Sequence, residues 1–233
     1  MLMDPQNLPL RVQQVRARIA AAAAAAGRSA DSVTLLAIGK GHGPPLLRAA
    51  CAAGVTDLGE SYVDEALAKV AALEDLPVTW HFVGRVQANK TRPIAATFAW
   101  VHGIERLKIA ERLATQRPPA LPPLNVCLQV NLAGEASKAG VAPTELASLA
   151  AAVAALPNLA LRGLMCLPPV EHAAARQRAW FARLRALCDS LNAGGARLDT
   201  LSMGMSDDFE AAVLEGSTLV RLGTVLFGPR PVQ

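Results

Sequence analysis

The chain has 233 residues, 52% apolar and 4% aromatic, with a formal net charge of +4 and a pI of about 9.1. That length suits one domain with a single closed core, as α/β barrels often reach it as one unit. The positive excess comes from scattered arginines and aromatics are few, which argues against nucleic-acid binding, and no apolar run is long enough to span a bilayer. The amino-terminal stretch lacks the basic, apolar, small-residue progression of a leader, so a cytoplasmic protein is expected. Cys51, Cys127, Cys166 and Cys188 show no C-x-x-C spacing and no histidine at ligand spacing. They read as ordinary buried or half-buried thiols of a reducing compartment, with no metal site.

In chain order, Leu8 to Ala26 reads as a helix, with Leu10, Val12, Val15 and Ile19 on one side and Gly27 as its stop. Val33 to Ile38 is a short apolar run, β-branched in places, that ends in Gly39-Lys40-Gly41-His42-Gly43; it reads as a buried strand. Helix and strand then alternate. Pro44–Ala53 is a helix opened by proline and closed by Gly54, Val55–Gly59 a strand, and Ser61–Leu73 a helix. Val78–Gly84 is a strand, Gln87–Thr97 a short helix that Pro93 must start or interrupt, Phe98–Gly103 a strand, and Glu105–Thr115 a helix. The four prolines in Arg117–Pro123 make a rigid loop before the strand Asn125–Asn131. Helix Pro143–Ala155, strand Leu161–Leu167, helix Ala173–Asn192, strand Thr200–Gly204, helix Asp207–Glu215 and strand Leu219–Leu222 complete the series.

Eight strands joined by seven helical connections imply right-handed crossovers and a parallel sheet. The strands are near-continuous apolar runs, as strands covered on both faces are. No G-x-G-x-x-G follows the first strand, which removes the dinucleotide fold. The expected architecture is one α/β domain over residues 1–233: a (β/α)8 TIM barrel over 33–228 behind an extra amino-terminal helix within 1–27.

Polar residues collect at the expected strand ends, where barrels of this kind carry their sites. They are Lys40 after the first strand; Glu60, Ser61 and Tyr62 after the second; His81 and Gly84 in the third; Asn131 after the fifth; and Met165 in the sixth. Ser202, Met203, Gly204 and Ser206 end the seventh, and Arg221, Gly223 and Thr224 the eighth. A lysine at such a mouth can attack a carbonyl compound once desolvated, although a lysine that merely snorkels at the rim fits this stretch as well. Met203 to Asp208 turns from strand to helix, with Ser206 or Asp207 as N-cap and Glu210 in the first turn. With Arg221 to Thr224, it forms the late-barrel cradle in which exposed N–H groups and a helix end grip phosphate. Asp207 and Asp208 would repel a phosphate unless they point away, and Ser-Asp before a helix is also an ordinary cap. A phosphate cradle combined with an imine-forming lysine is what pyridoxal 5′-phosphate requires, and Arg221 is placed to face its ring nitrogen.

At this point the residues resemble the pyridoxal phosphate homeostasis proteins over nearly the whole chain. The likeness rests on Ala37-Ile38-Gly39-Lys40, Gly59 to Glu65, Trp80 to Gly84, Gln87 to Lys90, Gln129-Val130-Asn131, Glu135 to Gly140 and Gly163-Leu164-Met165. Above all it rests on Ser202-Met203-Gly204-Met205-Ser206-Asp207-Asp208, with Arg221 to Gly228 following. The resemblance implies a barrel like the N-terminal domain of alanine racemase, with pyridoxal 5′-phosphate bound as an aldimine at Lys40. It also implies a site of Lys40, Ser61, Met203, Gly204, Ser206, Arg221, Gly223 and Thr224, with Ser206, Gly223 and Thr224 on the phosphate. The chain departs from the family pattern at Gly39, where Ser or Thr is usual, at Gly41-His42-Gly43, where Thr-Lys follows the lysine, and at Ser61, where Asn is usual. His42 between glycines reads as solvated and His81 as packed, while His102 and His172 have no assignable role.

Racemising an amino acid needs an acid and a base on opposite faces of the cofactor. Alanine racemases take one from a second β-domain, for which this chain leaves no room after Gly228, and the only tyrosine, Tyr62, is expected to pack as a bulky side chain. The expected function is therefore storage and transfer of pyridoxal phosphate without efficient catalysis, by a monomer or weak dimer, with apo forms of pyridoxal-phosphate enzymes as recipients. The alternative is a Schiff-base enzyme, either a racemase or a class I aldolase. An aldolase would need a second group beside Lys40, for which the sequence offers Glu60 or Lys138.

Overall fold

The computed structural model describes residues 7–135 and 139–229; Lys138, and with it part of the Glu135 to Gly140 motif, lies outside them. Eight parallel strands close on themselves in chain order. They are β1 (Thr34–Ile38), β2 (Asp57–Glu60), β3 (Thr79–Phe82), β4 (Trp100–Ile104), β5 (Leu124–Val130), β6 (Leu159–Cys166), β7 (Thr200–Ser202) and β8 (Leu219–Leu222). Helices α2 (Pro44–Ala52), α3 (Val63–Ala72), α4 (Thr91–Thr97), α5 (Leu107–Gln116), α6 (Leu146–Ala154), α7 (Ala174–Ala193) and α8 (Phe209–Leu214) make the crossovers. The α/β TIM barrel read from the alternation is therefore the fold. The short helix α9 (Thr224–Phe227) after β8 was not expected.

The boundary differences have local causes. β2 starts at Asp57 rather than Val55 because Val55 N still bonds Ala50 O while the chain leaves α2 around Gly54, whose φ is +88°. The Gln87–Thr97 segment splits into a 3-10 turn (Ala88–Lys90) and α4, with Pro93 as the third helical residue, where a missing N–H costs nothing. β7 ends at Ser202, and the expected strand residue Gly204 instead takes φ +97°.

The amino-terminal helix α1 (Leu8–Ala25) lies against α2, α8 and α9. It buries Leu8, Val12, Val15, Ile19, Ala22 and Ala23, which recur at helical spacing. Leu10, expected on that face, is 55% exposed. Two residues along a helix turn it about 200°, so Leu10 points opposite Leu8. Arg18 ties α1 to α8 by a bidentate pair with Glu210 (2.7 and 2.9 Å) and lies over Phe209.

Bare glycines let the strands and loops approach closely. A Cβ at Gly163 on β6 would land on the Thr200 carbonyl oxygen of β7, and one at Gly84 on the Ser61 carbonyl. Cys127, Cys166 and Cys188 are buried free thiols, each pushed up by burial to about 12, about 12 and about 11. Among the described residues no helix is long and apolar enough to cross a membrane.

Backbone, not a flexible side chain, blocks the space beside Gly163. Gly163→Ala should therefore force β6 and β7 apart and cost roughly 3 kcal/mol of stability, measured as a lowered urea midpoint at an unchanged m-value.

Candidate functional site

The carboxyl ends of the strands surround a cavity of about 350 Å³, within the range of small-molecule sites. Lys40, Ser61, Ser206, Arg221, Gly223 and Thr224 all line it, so six of the eight expected residues meet in one place. Met203 and Gly204 are not among the lining. Met203 is fully buried in the core, and a Cβ on Gly204 would lie 2.7 Å from Ala212 Cβ and 3.0 Å from Phe209 Cα. Gly204 thus serves the tight packing of α8 under the loop, while its carbonyl accepts the Arg221 N–H (3.0 Å).

Lys40 stands at the crest of a turn. His42 N bonds Gly39 O (2.9 Å), and Gly41 takes φ +77° at the position where type II turns use glycine. The lysine Nζ sits 4.4 Å from the Tyr62 ring centroid, a cation–π contact. Tyr62, expected to pack as a bulky side chain, lies against the lysine and is 56% exposed. His42 departs in the other direction. It is 8% exposed, 5.3 Å from the Phe227 ring, and lines the cavity.

Beneath the turn lies a charged cluster that the sequence reading did not assemble. Lys69 Nζ, buried on α3, donates to Glu60 Oε1 (2.7 Å), Glu65 Oε1 (2.6 Å) and Gly39 O (2.7 Å), and Gly41 N donates to Glu65 Oε1 (2.6 Å). One ammonium thus serves two carboxyls. Glu60 is fully buried, its Oε2 has no partner among the described residues, and burial pushes its pKa up to about 7 against the pull of Lys69. Glu65, half-exposed, is held below its ordinary value by Lys69 and Gly41 despite some burial. The sequence signal was the Glu65/Lys69 pair at i,i+4; Glu60 was noticed only as a neighbour of Lys40. Gly39 also acquires a reason. A Cβ there would sit 2.6 Å from Glu60 Oε1 and 2.8 Å from Leu47 Cδ2.

On the opposite side, the loop after β7 turns toward α9. Asp208 is the residue before α8, but its side chain does not cap that helix. Instead its carboxylate turns back and accepts the Met205 N–H (2.6 Å). Ser206 is not the N-cap either; its Oγ accepts the Val225 N–H in the first turn of α9 (3.2 Å). That leaves the Ser206 proton for an acceptor in the cavity, while Asp207 lies on the cavity wall. At the floor, Arg221 is 5% exposed and donates to Ser202 O (2.6 Å), Ser202 Oγ (2.8 Å) and Cys166 O (2.9 Å). No carboxylate of the described residues lies within ion-pair distance of it. A buried guanidinium so arranged favours an acceptor or anion in the cavity. His81 is a packed strand residue, as expected, and His102, which had no role, is buried and hydrogen-bonded to Ser202. Asn131 and Met165 lie off the cavity lining.

Residues 10–231 match the family model of the alanine racemase N-terminal domain. The chain is 59% identical over 219 residues to a pyridoxal phosphate homeostasis protein of Pseudomonas aeruginosa, covering 94% of both chains. It is 47% identical over 220 residues to that of Escherichia coli K12, covering 93% of this chain and 94% of the other. It superposes on PipY of Synechococcus elongatus PCC7942 with PLP bound at a TM-score of 0.84 and 37% identity, over 95% of this chain and all of that one.

The Glu60 carboxyl predicts a pH dependence. Its folded pKa lies above its ordinary value, so between about 4.5 and about 7 the folded chain holds a proton that the unfolded chain has lost. Stability should therefore fall as pH rises through this window, by at most about 1.4 kcal/mol per unit. Glu60→Gln should flatten the slope in urea titrations run at several pH values.

Proposed function

The chain belongs to the pyridoxal phosphate homeostasis proteins, built on the alanine racemase N-terminal domain, and on that premise we propose that it binds pyridoxal 5′-phosphate at the carboxyl mouth of the barrel and holds it for release. When bound, the cofactor supplies an aldehyde that condenses with an amine, with loss of one water, and a ring that withdraws electrons. Lys40 provides the amine for that Schiff base. Its place on a glycine-flanked turn, with Tyr62 beneath its Nζ, keeps it at the cavity edge, where an incoming ligand meets it.

The cavity chemistry fits the cofactor's other two ends. Ser206 and Thr224 present hydroxyls and Gly223 bare backbone on one wall. The Val225 N–H occupies the Ser206 oxygen and so aims the hydroxyl proton outward, as an anionic phosphate needs. The Asp208 charge is drawn back to Met205 N. Arg221 lies at the floor, anchored by three hydrogen bonds, where it can donate to a ring nitrogen and keep it unprotonated. The observation that carries the reading is this convergence of Lys40, Ser206, Thr224 and Arg221 on one cavity of suitable size.

The place of the chain's tyrosine supports a carrying role without efficient turnover. Proton transfer on both faces of a planar ligand needs two opposed groups. The chain's one tyrosine stands beside Lys40, not across the cavity from it. The partners in such a role are apo forms of pyridoxal-phosphate enzymes, which would take the cofactor from the open mouth.

Protein incubated with pyridoxal phosphate and reduced with borohydride should gain the cofactor's mass on Lys40, and Lys40→Ala should gain none. Ser206→Ala should release the cofactor about tenfold faster, the size of one charge-assisted hydrogen bond. Saturable racemisation or aldol cleavage that disappears in Lys40→Ala would replace the carrier with the enzyme reading.

A further inference from the structure

The barrel lumen holds a row of polar side chains that neither end of the molecule accounts for. Asp57 opens β2, His81 lies on β3, His102 on β4, Ser202 ends β7 and Arg221 lies on β8. His81 Nε2 is 3.0 Å from Asp57 Oδ1, His81 Nδ1 is 3.0 Å from His102 Nε2, and His102 Nδ1 is 2.8 Å from Ser202 Oγ. Arg221 Nη1 closes the row on Ser202 Oγ at 2.8 Å. Since β4 and β7 are not neighbours in the barrel, the His102–Ser202 bond crosses the lumen. His81, His102, Ser202 and Arg221 are all buried. Arg221 lines the carboxyl-end cavity. Asp57 and His81 line a second cavity of about 300 Å³ at the opposite mouth, together with Thr34, Trp100, Thr200 and Leu219, the first residues of their strands.

The direction of every hydrogen bond in the row is fixed by its ends. A guanidinium can only donate, and an ionised carboxylate can only accept. From the Asp57 end, His81 Nε2 must carry a proton. In a neutral ring His81 Nδ1 then accepts from His102 Nε2–H, His102 Nδ1 accepts, and Ser202 O–H donates to it. From the Arg221 end, Ser202 Oγ already receives a proton, which leaves its own for His102 Nδ1. Both constructions give the same chain. Burial lowers the pKa of both rings, against the pull of Asp57 on His81, and well below the ordinary value for His102, where His81 and Arg221 add to the effect; this favours the neutral form of each ring. Asp57 stays ionised because its bonds from His81 and from the Thr56 hydroxyl outweigh its partial burial. The other carboxylate at this mouth, Asp199, is taken up by Arg162 and by the Thr200 hydroxyl.

We propose that Asp57, His81, His102 and Ser202 are positioning residues: a polarised hydrogen-bond chain through the lumen that orients the buried Arg221 guanidinium and answers its charge with a carboxylate at the far mouth. Aligned dipoles in a low-dielectric core reinforce one another, so the chain brings part of the Asp57 charge to a cation with no ion-pair partner of its own among the described residues. It also gives the lower mouth a function. A change of charge at Asp57 alters how firmly Arg221 is presented to the cofactor cavity. This use of Arg221 rests on the pyridoxal phosphate reading above, whereas the hydrogen-bond chain itself does not.

Two measurements separate the two. In cofactor-free protein labelled with 15N-histidine, long-range proton–nitrogen spectra at neutral pH should show His81 and His102 neutral, each with its proton on Nε2. Ser202→Ala should move the signals of both rings, and the surface control Asp75→Asn neither. A proton on Nδ1 of either ring, a charged ring, or a His81 signal indifferent to Ser202→Ala overturns the proposal. In loaded protein, Asp57→Asn keeps an oxygen acceptor for His81 but removes the charge. It should shift the bound cofactor's absorption and speed its release roughly tenfold, with the borohydride mass gain on Lys40 retained. Unchanged release and spectrum in folded Asp57→Asn also overturn it. Should the wild-type chain take up no cofactor at all, the carrier reading fails while the histidine spectra still decide the chain.

Discussion

The pairing of β8 with β1 is the constraint on which the rest of the molecule depends. Parallel register sets Arg221 opposite Leu36 and Leu222 opposite Ala37, so the two strand ends that carry Arg221 and Lys40 are neighbours across the seam. No local interaction could bring together residues 181 positions apart in sequence; ladder closure does it, and right-handed crossovers are the only economical way to reach closure. Once the seam is made, the loop after β8 faces the loop after β7. The Val225 N–H then finds Ser206. The cavity is thus a by-product of closure, not of any single motif.

Closure also decides where polar groups can be tolerated. A barrel of this size is filled by side chains, and branched apolar residues usually fill it. Here the lumen admits two histidines, a serine and an arginine, each of which would be costly alone. They are acceptable because each link satisfies the next, from a donor-only end to an acceptor-only end, leaving no orphan in the row. The same logic breaks down beside the lysine turn, at Glu60, whose Oε2 finds no partner among the described residues. Burial lifts the pKa of this carboxyl to about 7. Fully satisfied networks rigidify a core, whereas a partly satisfied group is where a structure can respond to its surroundings.

Much of this was legible in the chain, and the exceptions share a cause. Period and punctuation gave the barrel, because strands covered on both faces must read as apolar runs and glycines must end them. The strand-end residues Lys40, Ser61, Ser206, Arg221, Gly223 and Thr224 met in one cavity because fold topology alone puts strand ends together. What stayed hidden depends on side-chain direction. Leu10 was placed on the wrong face of α1, Tyr62 was expected to pack with no partner named, and His42 was left in solvent. His102 had no reading because one of its two partners, Ser202, is 100 positions away on a non-adjacent strand. Met203 and Gly204 sit in the most recognisable motif of the chain, yet they lie behind the cavity lining: motif membership marks a loop, while lining requires a direction that spacing does not encode.

The two glycines beside Lys40 show how such directions are set. A lysine between Gly39 and Gly41 has no neighbouring side chain to stiffen its turn, and glycine loses more backbone freedom on folding than any other residue. The structure compensates from outside the turn. Lys69 reaches the Gly39 carbonyl and Glu65 the Gly41 N–H, so the cluster under the turn holds both flanking peptides. Glu60 fits against Gly39 only because no Cβ is there. The departure from Ser or Thr at position 39 is therefore coupled to the seating of a buried acid and a buried lysine. With Gly39 and Gly41 supplying no side chains, the geometry of Lys40 is governed from α3, through Glu65 and Lys69, two charged side chains that the turn itself does not contain.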